Sequence, residues 1–276
     1  MSDEIAKYSQ LIRKKLTAEY KACLRESGYP FNYPFIVPGS ESYSDVLWDW
    51  DSWLSNIALR QILTEINNPK AFAEVLPYEQ GCILNFLSWC SSADGWIPIA
   101  VSRNEDISKS KPENIYSTNM HKPVIAQHAA FLVQQQNNDA EWLRSKFTHL
   151  LEFVNNYRTH HCHRCGLYYW QDDRAIGVDN DPCTYFRPPR SSGSIYLNCL
   201  MYKELQAVAY LCKCLKLNET AQFYEQDALQ LKENINKHCW DERDGFYYSV
   251  DLNLLPNENI RGLHQGMPRD WDCLIQ

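Results

Sequence analysis

Between Ile195 and Ile235 the sequence runs the same pattern twice. Leu197, Leu200, Leu205, Val208, Leu211 and Leu215 recur at helical spacing; after Asn218 come Ala221, Tyr224, Ala228, Leu231 and Ile235, at alternating steps of three and four. Each stripe covers one face of a helix, and such a face is stable in water only against another. Packed amphipathic helices are therefore what this chain must form. The 10 glycines and 13 prolines among 276 residues agree, because an all-β chain needs a turn roughly every ten residues.

The remaining segments extend the pattern. Ile5, Tyr8, Ile12, Leu16, Tyr20 and Cys23 lie on one face of a first helix, closed by Gly28 and Pro30. A proline-punctuated connector leads to a second helix from about Trp50, with Trp53, Ile57, Leu59, Ile62 and Ile66. Pro77 is expected to separate a short segment, Lys70 to Leu76, from a helix carrying Ile83, Phe86, Leu87 and Cys90. Val124, Ala126, His128, Phe131 and Leu132 predict another. A further one, capped by Asn138 or Asp139, carries Trp142, Phe147, Leu150, Leu151, Val154 and Tyr157. Asp244-Gly245 followed by alternating aromatic residues predicts a turn followed by short extended strands. The sum is an all-α chain of about seven helices, joined by connections rich in Trp, Tyr, Arg and Asp, with minor hairpins in the loops.

A net charge of −7 without a basic stripe argues against nucleic acid and anionic membrane as partners. The start is polar, and no apolar run is long enough to cross a bilayer. The 11 cysteines are scattered through helices and loops, as reduced thiols of a cytoplasmic protein would be.

Two stretches carry chemistry. Trp48-Asp49-Trp50-Asp51-Ser52-Trp53 interleaves indoles with carboxylates, which suits a sugar, since its ring face packs on an indole while its hydroxyls donate to a carboxylate. The plainer alternative is that Asp49 or Asp51 caps the helix and the tryptophans fill the core. The second stretch, Tyr168-Tyr169-Trp170-Gln171-Asp172-Asp173-Arg174, runs into Asp179 and Asp181 and then Tyr185 to Arg190. A turn role suits an isolated aspartate; between aromatic flanks, burial would instead raise the carboxyl pKa of Asp179 and keep a proton for a leaving group. Arg187 and Arg190 could hold an anionic group or stand solvated in the loop. His160-His161-Cys162-His163-Arg164-Cys165 lacks the second ligand pair of a zinc site, and neither a metal nor a cofactor is expected.

Several motifs in order resemble the inverting glycoside hydrolases of the trehalase and family 63 group, including the mannosylglycerate hydrolase-like enzymes. They are Pro38-Gly39, Trp50-Asp51-Ser52-Trp53, Gly95-Trp96-Ile97-Pro98, Pro123 with Gln127, Gly177-Val178-Asp179-Asn180 and Tyr196-Leu197-Asn198. The resemblance implies an (α/α)6 barrel, of which residues 1–276 are the N-terminal part of one domain. It makes Asp179 the general acid and Asp51, Asn198 and neighbouring aromatics sugar contacts. Trp48, Trp50, Trp53, Trp96, Gln127, Tyr169, Trp170, Arg187 and Arg190 complete the expected substrate-binding set, for a small carbohydrate. The family's base is a glutamate in the C-terminal part of the barrel, expected beyond Gln276. Ser40 and Glu41 stand where trehalases carry an arginine, and the aspartate motif lacks their Gly-Trp-Asp form. Another α-glucoside or an α-mannoside is favoured over trehalose. A toroidal sugar epimerase and a non-catalytic glycan-binding chain are the alternatives.

Overall fold

The computed structural model describes residues 3–39, 43–90, 94–103, 119–178, 180–185 and 187–253. These are mostly helical, with eight α-helices and four two-stranded antiparallel sheets among them. The chain divides into two compact units, Met1–Phe86 with Ala100–Ser110, and Leu87–Ile99 with Lys111–Gln276. No described helix is long and apolar enough to cross a membrane.

In the first unit, helix α1 (Asp3–Glu19) continues into a 3-10 turn, Tyr20–Cys23. Its apolar stripe, Ile5, Tyr8, Ile12 and Leu16, is exposed rather than buried. Strands β1 (Leu24–Arg25) and β2 (Phe35–Ile36) pair, as do β3 (Val46–Trp48) and β4 (Ala100–Ser102). Helix α2 (Asp49–Ile66) turns Asp49, Ser52, Asn56, Leu59 and Leu63 inward, while Trp53, Ile57, Ile62 and Ile66 of the expected face are only half-buried. The polar half of that face has a partner: Asn56 Nδ2 and Arg60 Nε donate to Oε1 of the fully buried Glu79 at 2.6 and 2.5 Å.

Glu79 belongs to α3 (Pro69–Trp89), a single helix running through Pro77 where the sequence predicts a break. The missing proline N–H leaves the Ala73 carbonyl without its helical partner. Ala73 and Pro77 are both on the solvent-exposed face of the helix, while Ala71, Val75, Glu79, Ile83 and Phe86 keep the buried stripe in phase. Gly81 allows the close approach on the same helix, since a Cβ there would stand 1.7 Å from the Pro34 carbonyl oxygen.

The second unit is built on α7 (Ile195–Cys214). Helix α4 (Ile125–Gln135) packs on it, and α8 (Asn218–Cys239) returns after three residues to lie along it. The α8 stripe Ala221, Tyr224, Ala228, Leu231 and Ile235 is buried as its spacing predicts. Helix α5 (Phe147–His160) follows a 3-10 stretch, Glu141–Lys146, whose N-cap is Ala140, with the Glu141 N–H donating to Asp139 Oδ1 at 3.0 Å. Beyond α8, β6 (Trp240–Asp241) and β7 (Phe246–Tyr247) form the expected hairpin, with Gly245 at φ +65° in its turn. Strand β8 (Val250–Asp251) pairs with β5 (Ser192–Gly193) just before α7.

Candidate active site

The loop from Tyr168 to Ser194 is held from behind by one side chain of α7. Asn198, fully buried, accepts from the Tyr168 N–H at 2.8 Å and donates Nδ2 to the carbonyls of Tyr168 at 2.9 Å and Ser194 at 2.8 Å. It closes the backbone polarity of a non-helical strand as a neighbouring strand would. Its amide is committed to the protein, so Asn198 positions the aromatic run and does not itself reach a sugar. Gln127 is similarly engaged: its Nε2 donates to Pro123 O at 2.8 Å, Leu200 O at 3.1 Å and Glu204 Oε2 at 3.3 Å.

Along the loop, Tyr169 is half-buried and its hydroxyl donates to His160 O at 2.8 Å. Trp170 is buried 6.2 Å from the ring of Tyr196; among the described residues its Nε1 finds no acceptor and Oε1 of the adjacent buried Gln171 finds no donor. Unpartnered buried polar atoms of this kind are few in folded proteins. Asp172 caps a 3-10 turn, Asp173–Ala175. Burial acts to raise its carboxyl, but hydrogen bonds from Arg174 and Asn119 outweigh that and hold it below the ordinary value.

Asp179 lies outside the described residues. Asp181, two positions on, is buried and caps the single-turn helix α6 (Pro182–Tyr185): Oδ2 accepts from Thr184 Oγ1 at 2.8 Å and Oδ1 from Cys183 N at 3.4 Å. Burial pushes this carboxyl up against those two bonds, with Asp173 adding to the rise. Arg187 is paired with Asp251 of β8, which compensates its charge within the protein. Arg190 is exposed at φ +62° and donates its backbone N–H to Gln171 O at 3.2 Å. Its positive charge reaches His161 and Tyr169, favouring neutral imidazole and ionised phenol, but burial is the larger influence on both and lowers the His161 pKa to about 4.

Beside this loop opens a cavity of about 520 Å³ whose walls include Ile176, Asp181, Ser194, Tyr196, Phe246 and Tyr247. The aromatic and aliphatic faces interrupted by a carboxyl, hydroxyls and phenols have the make-up of a small-molecule pocket. Two of its polar groups are fixed by helix capping, since Ser194 Oγ accepts from Leu197 N at 3.4 Å and Ser249 Oγ from Ile195 N at 3.1 Å. Ile176 and Asp181 flank Asp179 in sequence. Phe246 and Tyr247 come from the hairpin after α8, a contribution announced only by Asp244-Gly245 and the aromatics following it.

Trp96 is buried in the same unit, its Nε1 donating to Asn119 O at 3.3 Å. Gly95 sets its place: at φ +68° a Cβ would stand 2.1 Å from the Glu152 carbonyl oxygen, so the turn lies directly on the backbone of α5. Trp48, Trp50, Asp51 and Trp53 belong to the first unit, all half-buried. Among the described residues the Nε1 atoms of Trp48 and Trp53 find no acceptor, and Trp48 meets Tyr43 edge to face at 6.1 Å. Among the described residues no three His, Cys, Asp or Glu side chains are grouped to hold a metal.

Comparison with known proteins adds two findings. The model of a protein family described as the mannosylglycerate hydrolase MGH1-like glycoside hydrolase domain matches residues 44–268. An uncharacterized conserved protein from Thermus thermophilus, solved by crystallography, is similar in fold at a TM-score of 0.58 and 18% identity, with 95% of this chain and 74% of that chain covered. Curated proteins gave no match.

Proposed function

Since the chain belongs to the mannosylglycerate hydrolase MGH1-like glycoside hydrolase family, we propose that it hydrolyses an α-glycosidic bond of a small glycoside with inversion. In this proposal the helices are part of an (α/α)6 toroid forming one domain, and Asp179 is the general acid. The observation that carries it is the cavity beside the loop in which Asp179 stands, with a buried carboxyl, hydroxyls and aromatic faces in its wall.

The chemistry follows from the bond. The acid protonates the glycosidic oxygen as the sugar gains oxocarbenium character, while a second carboxylate, roughly 6.5–9.5 Å away, activates water on the opposite face. Asp181 and Glu204 do not suit that second role. Asp181 is occupied as a cap, and Glu204 is fully enclosed on the N-terminus of α4. The base is assigned to the C-terminal part of the barrel, outside the described residues.

The aglycone is proposed to be anionic, as the family's name says of its namesake's glycerate. With Arg187 paired to Asp251 and Arg174 to Asp172, the exposed Arg190 is proposed to meet a carboxylate. An epimerase would need histidines in the pocket, and His121 and His128 are buried core residues absent from its described lining.

The test is a panel of α-glucosides and α-mannosides with neutral or carboxylate-bearing aglycones, the first-formed product anomer being read by NMR. A β-anomer appearing first supports inversion; an α-anomer appearing first refutes it, and interconversion without hydrolysis would indicate an epimerase. Asp179→Asn should lower turnover by about 10²–10⁴-fold while sugar binding persists, and unchanged turnover would remove Asp179 from the mechanism.

A further inference from the structure

The hairpin after α8 carries more aromatic surface than the cavity beside the loop takes up. Gly245, Phe246 and Tyr247 are in the cavity wall. Trp240 is not among its described lining residues, but it stands directly opposite Tyr247 in the register of β6 and β7. Side chains of such a pair project from one face of the hairpin, and these two rings lie 4.8 Å apart at an angle of 57°. Trp240 is 40% exposed. Its indole therefore continues the wall made by Tyr247 outward to the surface.

This surface is held in place from several sides. The Tyr247 hydroxyl donates to Asn236 Oδ1 at 2.6 Å, and Asn236 lies about one turn before Trp240 on α8. The hairpin turn is closed by Gly245 N on Asp241 O at 2.8 Å, and Asp241 Oδ1 accepts from the N–H groups of Arg243 at 2.8 Å and Asp244 at 3.2 Å. With its oxygen engaged by the phenol, the exposed Asn236 presents Nδ2 as a donor at the edge of the two rings.

A cross-strand aromatic pair stabilises a hairpin through the faces its rings turn to each other. The face left to solvent carries different chemistry, apolar over the indole and hydrogen-bonding at the amide. A pyranose has the same division between its C–H face and its hydroxyls. Size decides between a sugar and a protein partner. With 40% of a tryptophan of about 250 Å² exposed, the indole offers about 100 Å². That suffices for one face of a sugar ring and is about an eighth of the roughly 800 Å² per side of a stable protein interface.

We infer that Trp240, Tyr247 and Asn236 form a subsite for a further pyranose unit, outside the cavity and continuous with it. The sugar ring packs on the Trp240 indole and one of its hydroxyls accepts from Asn236 Nδ2. Resting on the reading of the neighbouring cavity as a sugar site, this extends the substrate class from small glycosides to α-linked oligosaccharides.

The experiment titrates the full chain by calorimetry with maltotriose, α-1,2-mannotriose and the methyl α-glycosides of glucose and mannose, sulfur replacing each glycosidic oxygen so that they bind without turnover. In the series that binds, the trisaccharide should bind about tenfold more tightly than the methyl glycoside. Trp240→Leu, which keeps an apolar partner for Tyr247 but no stacking face, should remove that advantage and leave methyl glycoside binding as it was. Trp240→Tyr, which retains a ring, should keep most of it. Four results would each overturn the subsite: no binding or equal affinities in the wild-type chain, an advantage that survives Trp240→Leu, a Trp240→Tyr chain no better than Trp240→Leu, or equal losses on both ligands. The last would show that Trp240 acts only through the packing of the hairpin. Hydrolysis of the oxygen-linked glycosides is assayed alongside. Turnover without a Trp240-dependent preference would remove the subsite and leave the catalytic reading standing; a Trp240-dependent preference without turnover would do the opposite.

Discussion

Glu204 provides a quantitative test of how the second unit is held together. Its carboxylate, fully buried on α7, accepts from Ala126 N at 2.7 Å and Gln127 N at 3.1 Å, taking up donors that the first turn of α4 leaves free. Burial raises its pKa from 4.5 to about 7, despite the opposing hydrogen bonds from Ala126, Gln127 and Ile125. Below pH 4.5 the group is protonated in folded and unfolded chains alike, and its contribution to stability is complete. Between 4.5 and 7 the unfolded chain gives up a proton that the folded chain keeps, so stability declines as pH rises. At about 1.4 kcal/mol per pH unit the full loss is about 3 kcal/mol. Glu204→Gln keeps the shape and one acceptor but turns an N–H toward a helix N-terminus, at a cost of about 1–3 kcal/mol in acid. Because glutamine does not titrate, that cost should shrink by about 2–3 kcal/mol between about pH 5 and pH 8. Urea denaturation of both proteins across this range gives the difference, and the carboxyl carbon resonance of labelled glutamate gives the titration directly. A constant or growing difference, or a midpoint near about 4, would show that the helix N-terminus holds Glu204 ionised and that burial is the weaker effect.

Three further perturbations follow from the packing. Arg60→Met leaves the buried Glu79 with Asn56 as its remaining partner in α2 and should cost about 3–5 kcal/mol, part of which Glu79→Gln in the same chain should restore; thermal denaturation of the single and double variants checks this. Gly95→Ala requires both a positive φ and a backbone shift away from Glu152, and should destabilise by about 2–4 kcal/mol in a urea titration. Asn198→Ala removes the partners of the Tyr168 N–H and carbonyl and should cost about 2–4 kcal/mol. In a glycosidase assay it should also lower kcat/KM, through a displaced Tyr169 and Trp170, and a variant of unchanged stability would refute the role given to Asn198.

Helices were legible wherever burial was apolar. The α8 stripe is buried at every predicted position, because Ala221 to Ile235 face α7 along the whole helix. On α2 the same rule favoured the wrong side. Its inner face begins Asp49, Ser52, Asn56, and a hydrophobic period does not register polar residues buried against a partner such as Glu79. Pro77 misled for a related reason, as its cost depends on whether the orphaned carbonyl faces water, which local sequence does not record. In the candidate site the aromatic run at Tyr168 to Trp170 was legible as chemistry. Its backbone anchor and the contribution of Phe246 and Tyr247 depend on contacts across about 30 to 70 positions of chain, roughly a quarter of its length at the upper end.

Helix α7 shows how fold and site come from the same residues. Ser194, Asn198 and Glu204 lie among buried Leu197, Met201, Leu205 and Val208. Three polar groups on the buried side of a helix would be costly if unpaired. Each instead bonds a stretch of backbone: Ser194 the first turn of α7 itself, Asn198 the segment at Tyr168, Glu204 the start of α4. The same helix therefore supplies the apolar face that holds α4 and α8 and the polar contacts that fix the loop beside the cavity. Replacing any of these groups should disturb the geometry of the loop or of α4 before it disturbs the packing of α7 on α8, because the leucines carrying that packing lie on other positions of the helix.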